Sequence, residues 1–142
     1  MEKIIEHLAN EKATQAYGEK LARLVNREQQ ISFYFQGEIG AGKTTLIRSL
    51  LRHLGVTGPI KSPTFSILET YDCDGFLIYH FDLYRLSNPQ ELEYLGWREC
   101  FSGPSLCCIE WPERALGYLP EPTFWIRLAL AETGRELSLI KN

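Results

Sequence analysis

One stretch constrains this chain more than any other. Gly37-Glu38-Ile39-Gly40-Ala41-Gly42-Lys43-Thr44 fits the pattern G-x-x-x-x-G-K-[ST] at every fixed position. Its context is the one the pattern needs. Ile31–Gln36 alternates Ile, Phe and Phe against Ser, Tyr and Gln, which predicts a strand entering the loop. Thr44–Leu54 sets Leu46, Ile47, Leu50, Leu51 and Leu54 at helical spacing, with Gly55 as the stop. The glycines of Gly37–Gly42 let the backbone turn so that consecutive N–H groups form an anion nest. A helix starting near Lys43 adds the positive end of its dipole. In such a loop Lys43 is a point charge between β- and γ-phosphates, and the Thr44 hydroxyl ligates the Mg²⁺ that bridges them. The ligand-free alternative is a tight strand–helix turn carrying a solvated lysine.

The rest of the chain supplies elements for an α/β fold: a single P-loop domain over residues 1–142 with a mixed parallel and antiparallel sheet flanked by helices. Lys3–His7 reads as a short edge strand. Ala13–Asn26 reads as an amphipathic helix with Ala13, Ala16, Tyr17, Leu21, Leu24 and Val25 on one face. Phe65–Tyr71 and Phe76–Asp82 flank Asp72-Cys73-Asp74-Gly75, and Thr123–Ala131 and Glu136–Ile140 flank Thr133-Gly134; both pairs predict hairpins. Ser87 or Asn88 caps a helix with Pro89 near its start and Glu91 in its first turn. Leu106–Glu110 is a short apolar strand.

Composition narrows the function classes. The 142 residues are 44% apolar, with 15 Lys+Arg against 18 Asp+Glu, net −3. That excludes a disordered chain and argues against an all-over basic nucleic-acid binder. No apolar run reaches the ~18 residues of a membrane span, and Met1–Gln15 has no signal-peptide pattern, so a cytoplasmic protein is expected. Cys73, Cys100, Cys107 and Cys108 form no C-x-x-C and read as buried free thiols. His7, His53 and His80 have no metal-ligand spacing, and no zinc site is expected.

Magnesium needs a carboxylate beyond the loop, and the chain has only three aspartates. Asp72 and Asp74 are explained by their turn. Asp82 ends the run Phe76–Asp82 and Glu110 ends Leu106–Glu110; either suits the magnesium shell or the orientation of an attacking water. The structural alternative for each is a helix cap or an ion pair with Arg85 or Arg114. Ser62-Pro63-Thr64-Phe65 falls where nucleotide switches place a threonine that senses the γ-phosphate, although this is also a common turn composition. No Asn-Lys-x-Asp guanine motif is present, so ATP/ADP is the expected nucleotide. A small-molecule phosphotransferase built on the same loop is the rival reading, but the chain leaves little room for a lid and a substrate-binding insert.

The combination of Gly37–Thr45, Ser62–Phe65, His80–Leu86, Glu91–Gly96 and Ile109–Glu113, in this order and spacing, resembles the TsaE family across essentially the whole chain. The resemblance implies a weak Mg²⁺-dependent ATPase. It would serve threonylcarbamoyladenosine formation in tRNA by binding and resetting the TsaB–TsaD pair, touching tRNA only indirectly and no membrane. It implies Thr44 and Glu110 as magnesium residues, Asp82 beside them, Trp111 near the switch and Thr64 as switch threonine. The nucleotide contacts it implies are Glu38, Ile39, Gly40, Ala41, Gly42, Lys43, Thr44 and Thr45 of the loop, with Thr14 on the first helix and Arg135 at the last hairpin. No arginine is obviously placed as a finger in cis; Arg85 is the best candidate, with a structural ion pair as its alternative role.

Overall fold

Ile31, Phe33 and Phe35 point to one side of their strand and Ser32, Tyr34 and Gln36 to the other, yet five of the six are buried. A strand hidden on both faces belongs at the centre of a covered sheet. The computed structural model, which describes residues 2–142, places it there. In chain order the elements are β1 (Glu2–Leu8), α1 (Glu11–Arg23), β2 (Gln30–Gln36), α2 (Lys43–Leu54), β3 (Leu68–Cys73), β4 (Phe76–Asp82), β5 (Ser105–Glu110), β6 (Phe124–Leu130) and β7 (Arg135–Lys141). Short 3₁₀ segments cover Pro89–Leu95, Glu99–Phe101 and Pro112–Ala115. One seven-stranded sheet runs β1-β7-β6-β2-β5-β4-β3. Its centre, β6-β2-β5-β4, is parallel, and the β3–β4, β6–β7 and β1–β7 pairs are antiparallel. The sheet is therefore mixed, as the two hairpins predict.

The two faces are covered differently. α1 and α2 pack with Ile31, Phe33, Phe35, Leu106 and Cys108 in one cluster. Tyr34, Phe81, Cys107 and Ile109 pack on the opposite face with Leu83, Leu92 and Trp97 from the 3₁₀-rich connection. The helices meet closely at Gly18: a Cβ there would lie 2.6 Å from Ser49 Cβ and 2.8 Å from the Leu50 backbone nitrogen.

Several local expectations shift. α1 starts at Glu11 because the Asn10 side chain accepts from the Ala13 amide at 2.9 Å, a cap that precedes the first apolar residue. Its buried stripe is Thr14, Tyr17, Gly18 and Leu21. Ala16 and Leu24, expected on that face, are exposed. The first hairpin strand begins at Leu68 rather than Phe65, because Ile67 adopts φ +69° and breaks the extended run. Phe65 is left 82% exposed with the Arg85 guanidinium 4.5 Å from its ring centre. The turn itself is two residues, Asp74 (φ +53°) and Gly75 (φ +89°), the Asp-Gly turn whose twist suits a tight hairpin. Asn88, not Ser87, caps the Pro89 segment, with Glu91 completing a capping box, and the segment is 3₁₀. All four cysteines are buried free thiols. Among the described residues no helix is long and apolar enough to cross a membrane.

Candidate nucleotide site

β2 has a parallel neighbour on each side, β5 and β6. The chain departs from its carboxyl end in one direction and returns later on the other. Ligands in open α/β sheets bind in the crevice at such a switch point. The glycine loop lies here. Gly42 takes φ +105° as the residue before α2, a conformation that excludes most side chains, and no side chain caps the helix that follows. The first-turn amides of α2 are thus left for an anion.

A cavity of about 520 Å³ opens at this point, within the range of small-ligand sites. It is lined by Thr14 from α1, by Ile39, Gly40, Gly42, Lys43, Thr44 and Thr45 from the loop and helix start, and by Thr64, Asp82, Glu110, Trp111 and Arg135. Two expected nucleotide contacts do not line it. Ala41 is turned into the core and 1% exposed, and its carbonyl accepts from Arg135 Nε at 2.9 Å. The Glu38 carbonyl accepts from the Ala41 amide at 3.0 Å and closes the loop's own turn. Arg135 Nη2 also donates to the Gly40 carbonyl at 3.0 Å, so the start of β7 grips the loop backbone. Glu11 and Tyr84 line the cavity and were missed. Their signals are adjacency: Glu11 follows the Asn10 cap on the helix that carries Thr14, and Tyr84 follows Asp82 by two residues.

Lys43 is 5% exposed. Its ammonium donates to the Gly37 carbonyl and sits 3.6 Å from the centre of the Trp111 ring. Burial pulls its pKa down, and Glu110, Glu113 and Asp82 pull it back up. Trp111 reaches this position because β5 ends in a sharp turn with Trp111 at φ +58°, a strained conformation for an aromatic residue.

The carboxylates are set by register. β4 and β5 run parallel with Asp82 opposite Glu110. Glu110 is 2% exposed; its Oε1 accepts from the Thr44 hydroxyl at 3.0 Å and its Oε2 is 2.7 Å from His80 Nε2. Asp82 is 6% exposed, and its Oδ1 accepts from the Tyr84 amide at 3.0 Å. Burial raises the Asp82 pKa; the Tyr84 amide opposes this, Glu110 adds to it, and His80 and Lys43 oppose it. Neither carboxylate forms an ion pair with Arg85 or Arg114 among the described residues. Arg85 stacks on Phe65, and Arg114 lies 5.4 Å from the Tyr84 ring centre. Thr64 lines the cavity with its hydroxyl 2.7 Å from that of Ser62.

A family model described as threonylcarbamoyl adenosine biosynthesis protein TsaE matches residues 8–137. The chain belongs to the TsaE family. It is 40% identical over 143 aligned residues to the tRNA threonylcarbamoyladenosine biosynthesis protein TsaE of Haemophilus influenzae, covering 99% of this chain and 90% of that one. It is 42% identical over 106 residues to the TsaE of Synechocystis, covering 72% and 66%. Among solved structures it superimposes on YdiB of Bacillus subtilis with a TM-score of 0.81 at 25% identity, over 99% of this chain and 86% of that one.

Proposed function

We propose that this TsaE-family chain is a cytoplasmic, Mg²⁺-dependent ATPase, weak on its own, that binds and resets the TsaB–TsaD pair during threonylcarbamoyladenosine formation in tRNA. The observation that carries the reading is the convergence of Lys43, Thr44 and Glu110 on one cavity at the uncapped start of α2.

The donor chemistry fits magnesium. The Thr44 hydroxyl and Glu110 carboxylate are hard oxygens already in contact, and Asp82 faces Glu110 across the strands. Mg²⁺ takes few protein oxygens and keeps water in the remaining positions. Bound there, it would neutralise charge on the β- and γ-oxygens of ATP. The chain's own residues do the rest. The first-turn amides of α2 and the loop hold the phosphates, and Lys43 exchanges the Gly37 carbonyl and the Trp111 face for a phosphate oxygen. Asp82 is fixed at Oδ1 by the Tyr84 amide, and burial strengthens its hold on a proton. Both features suit a group that orients water and accepts its proton.

The deciding measurement is phosphate release from ATP with the chain alone, with TsaB–TsaD added, and with small-molecule acceptors in their place. Slow release that responds to the protein pair, and is lost in a folded Lys43→Ala variant, supports the reading. Wild-type turnover in Lys43→Ala refutes it.

A further inference from the structure

His80 is a buried polar side chain with no part in the phosphate chemistry proposed for the site. It is 1% exposed in the middle of β4, between Cys108 of β5 and Glu69 of β3 in register. Its Nε2 lies 2.7 Å from Glu110 Oε2, while its Nδ1 is buried with no hydrogen-bond partner among the described residues. A carboxylate can only accept, so Nε2 donates in this bond, and Nδ1 is the ring nitrogen left without a partner. As core filling this is a poor choice: an apolar side chain would leave no unpaired buried nitrogen. The imidazole is better explained by the one bond it makes.

That bond completes a two-point grip. Thr44 holds Oε1 of Glu110 and His80 holds Oε2, so the carboxyl plane is fixed about its last torsion. Without His80 only the Thr44 contact would orient it, and that hydroxyl has its own role toward the metal. Carboxylates and imidazoles that ligate metals are characteristically held by a second set of hydrogen bonds, and losing such a partner weakens metal binding by about 10–100-fold. We infer that His80 is a positioning residue that orients Glu110 for magnesium. The inference rests on the magnesium reading of Glu110 proposed above.

The test reads binding rather than turnover. Calorimetric affinity for ADP is measured across a Mg²⁺ titration and again in EDTA, for wild type, Glu110→Gln, His80→Phe, His80→Gln and His80→Asn. Gln carries an amide N–H out to about the Nε2 position, whereas Asn is too short to reach Oε2. His80→Phe and His80→Asn should raise the half-saturating Mg²⁺ about tenfold or more, with ADP affinity in EDTA unchanged, and His80→Gln should restore most of the loss. Wild-type Mg²⁺ dependence in His80→Phe beside a shifted Glu110→Gln would overturn the inference and leave His80 as packing. Equal shifts in the Phe and Gln variants would overturn it too, since the hydrogen bond would then be irrelevant. If His80→Phe does not fold, the Asn–Gln comparison decides by the same criterion. An unshifted Glu110→Gln would instead refute the magnesium reading itself, and the positioning role with it.

Discussion

Replacing Gly18 by alanine sets two known effects against each other. Alanine is the better helix former, and at a mid-helix position the exchange alone favours folding by about 1 kcal/mol. Here the new methyl would meet α2. It would stand 2.6 Å from Ser49 Cβ and 2.8 Å from the Leu50 nitrogen, and closer still to Ser49 Oγ. The hydroxyl can rotate away, although it now donates to the Gln15 carbonyl. Ser49 Cβ and the Leu50 backbone are part of a regular helix and move only if α2 moves. Overpacking costs roughly 1–3 kcal/mol and sometimes more; overlaps this deep, against atoms of a regular helix, take the upper part of that range, so the clash outweighs the propensity gain. A net loss of about 1–2 kcal/mol lowers the melting temperature by roughly 3–8 °C for a chain of this size. Urea unfolding followed by circular dichroism should show a lower midpoint at unchanged slope. Nucleotide affinity should fall as well, because α1 carries Thr14 to where its Cγ2 would lie 3.6 Å from a Cβ placed on Gly42, and α2 begins at the glycine loop. A Gly18→Ala protein that melts at or above wild type would show that the helices do not approach this closely.

Further outcomes follow from the site. Lys43→Ala should retain the wild-type circular dichroism spectrum while phosphate release drops by about 100-fold or more, the scale of losing one preorganised electrostatic donor. Asp82→Asn should lower turnover more than nucleotide affinity and should stabilise the free protein at neutral pH. Burial raises the Asp82 pKa above its unfolded value. The folded state therefore binds the proton more tightly, and wild-type stability falls as pH rises between the two values. The variant's advantage in melting temperature should shrink as the pH is lowered through that window; an advantage independent of pH would contradict the assignment.

The legible parts of this structure are those written locally. The glycine loop, the strand before it and the helix stopping at Gly55 are spelled out by consecutive residues, as is the Asp74-Gly75 turn. The start of the first hairpin was not legible. Phe65 and Ile67 have strand-forming side chains, but a left-handed Ile67 and the stacking of Arg85 on Phe65 override that preference. Leu24 fits a helical apolar face, yet the helix ends one residue before it. At the site, Asp82 and Glu110 were visible as two strand-end carboxylates, but their facing positions depend on the β4–β5 register. The contact of Glu110 with His80 is diagonal across that register, and spacing along the chain carries no trace of it.

The four thiols give the fold a chemical clock. Each is buried, and burial pushes Cys100 up to about 11 and holds Cys107 and Cys108 well above the ordinary thiol range. A thiol reacts as its thiolate and only when reached, so in the native state these sulfurs wait on an opening event. They are also distributed: Cys73 lies at the turn end of the edge hairpin, Cys100 in the 3₁₀ connection, and Cys107 and Cys108 in the interior strand β5. Alkylation rates at the four positions therefore read the opening free energies of three separate regions, with no label introduced and no residue changed.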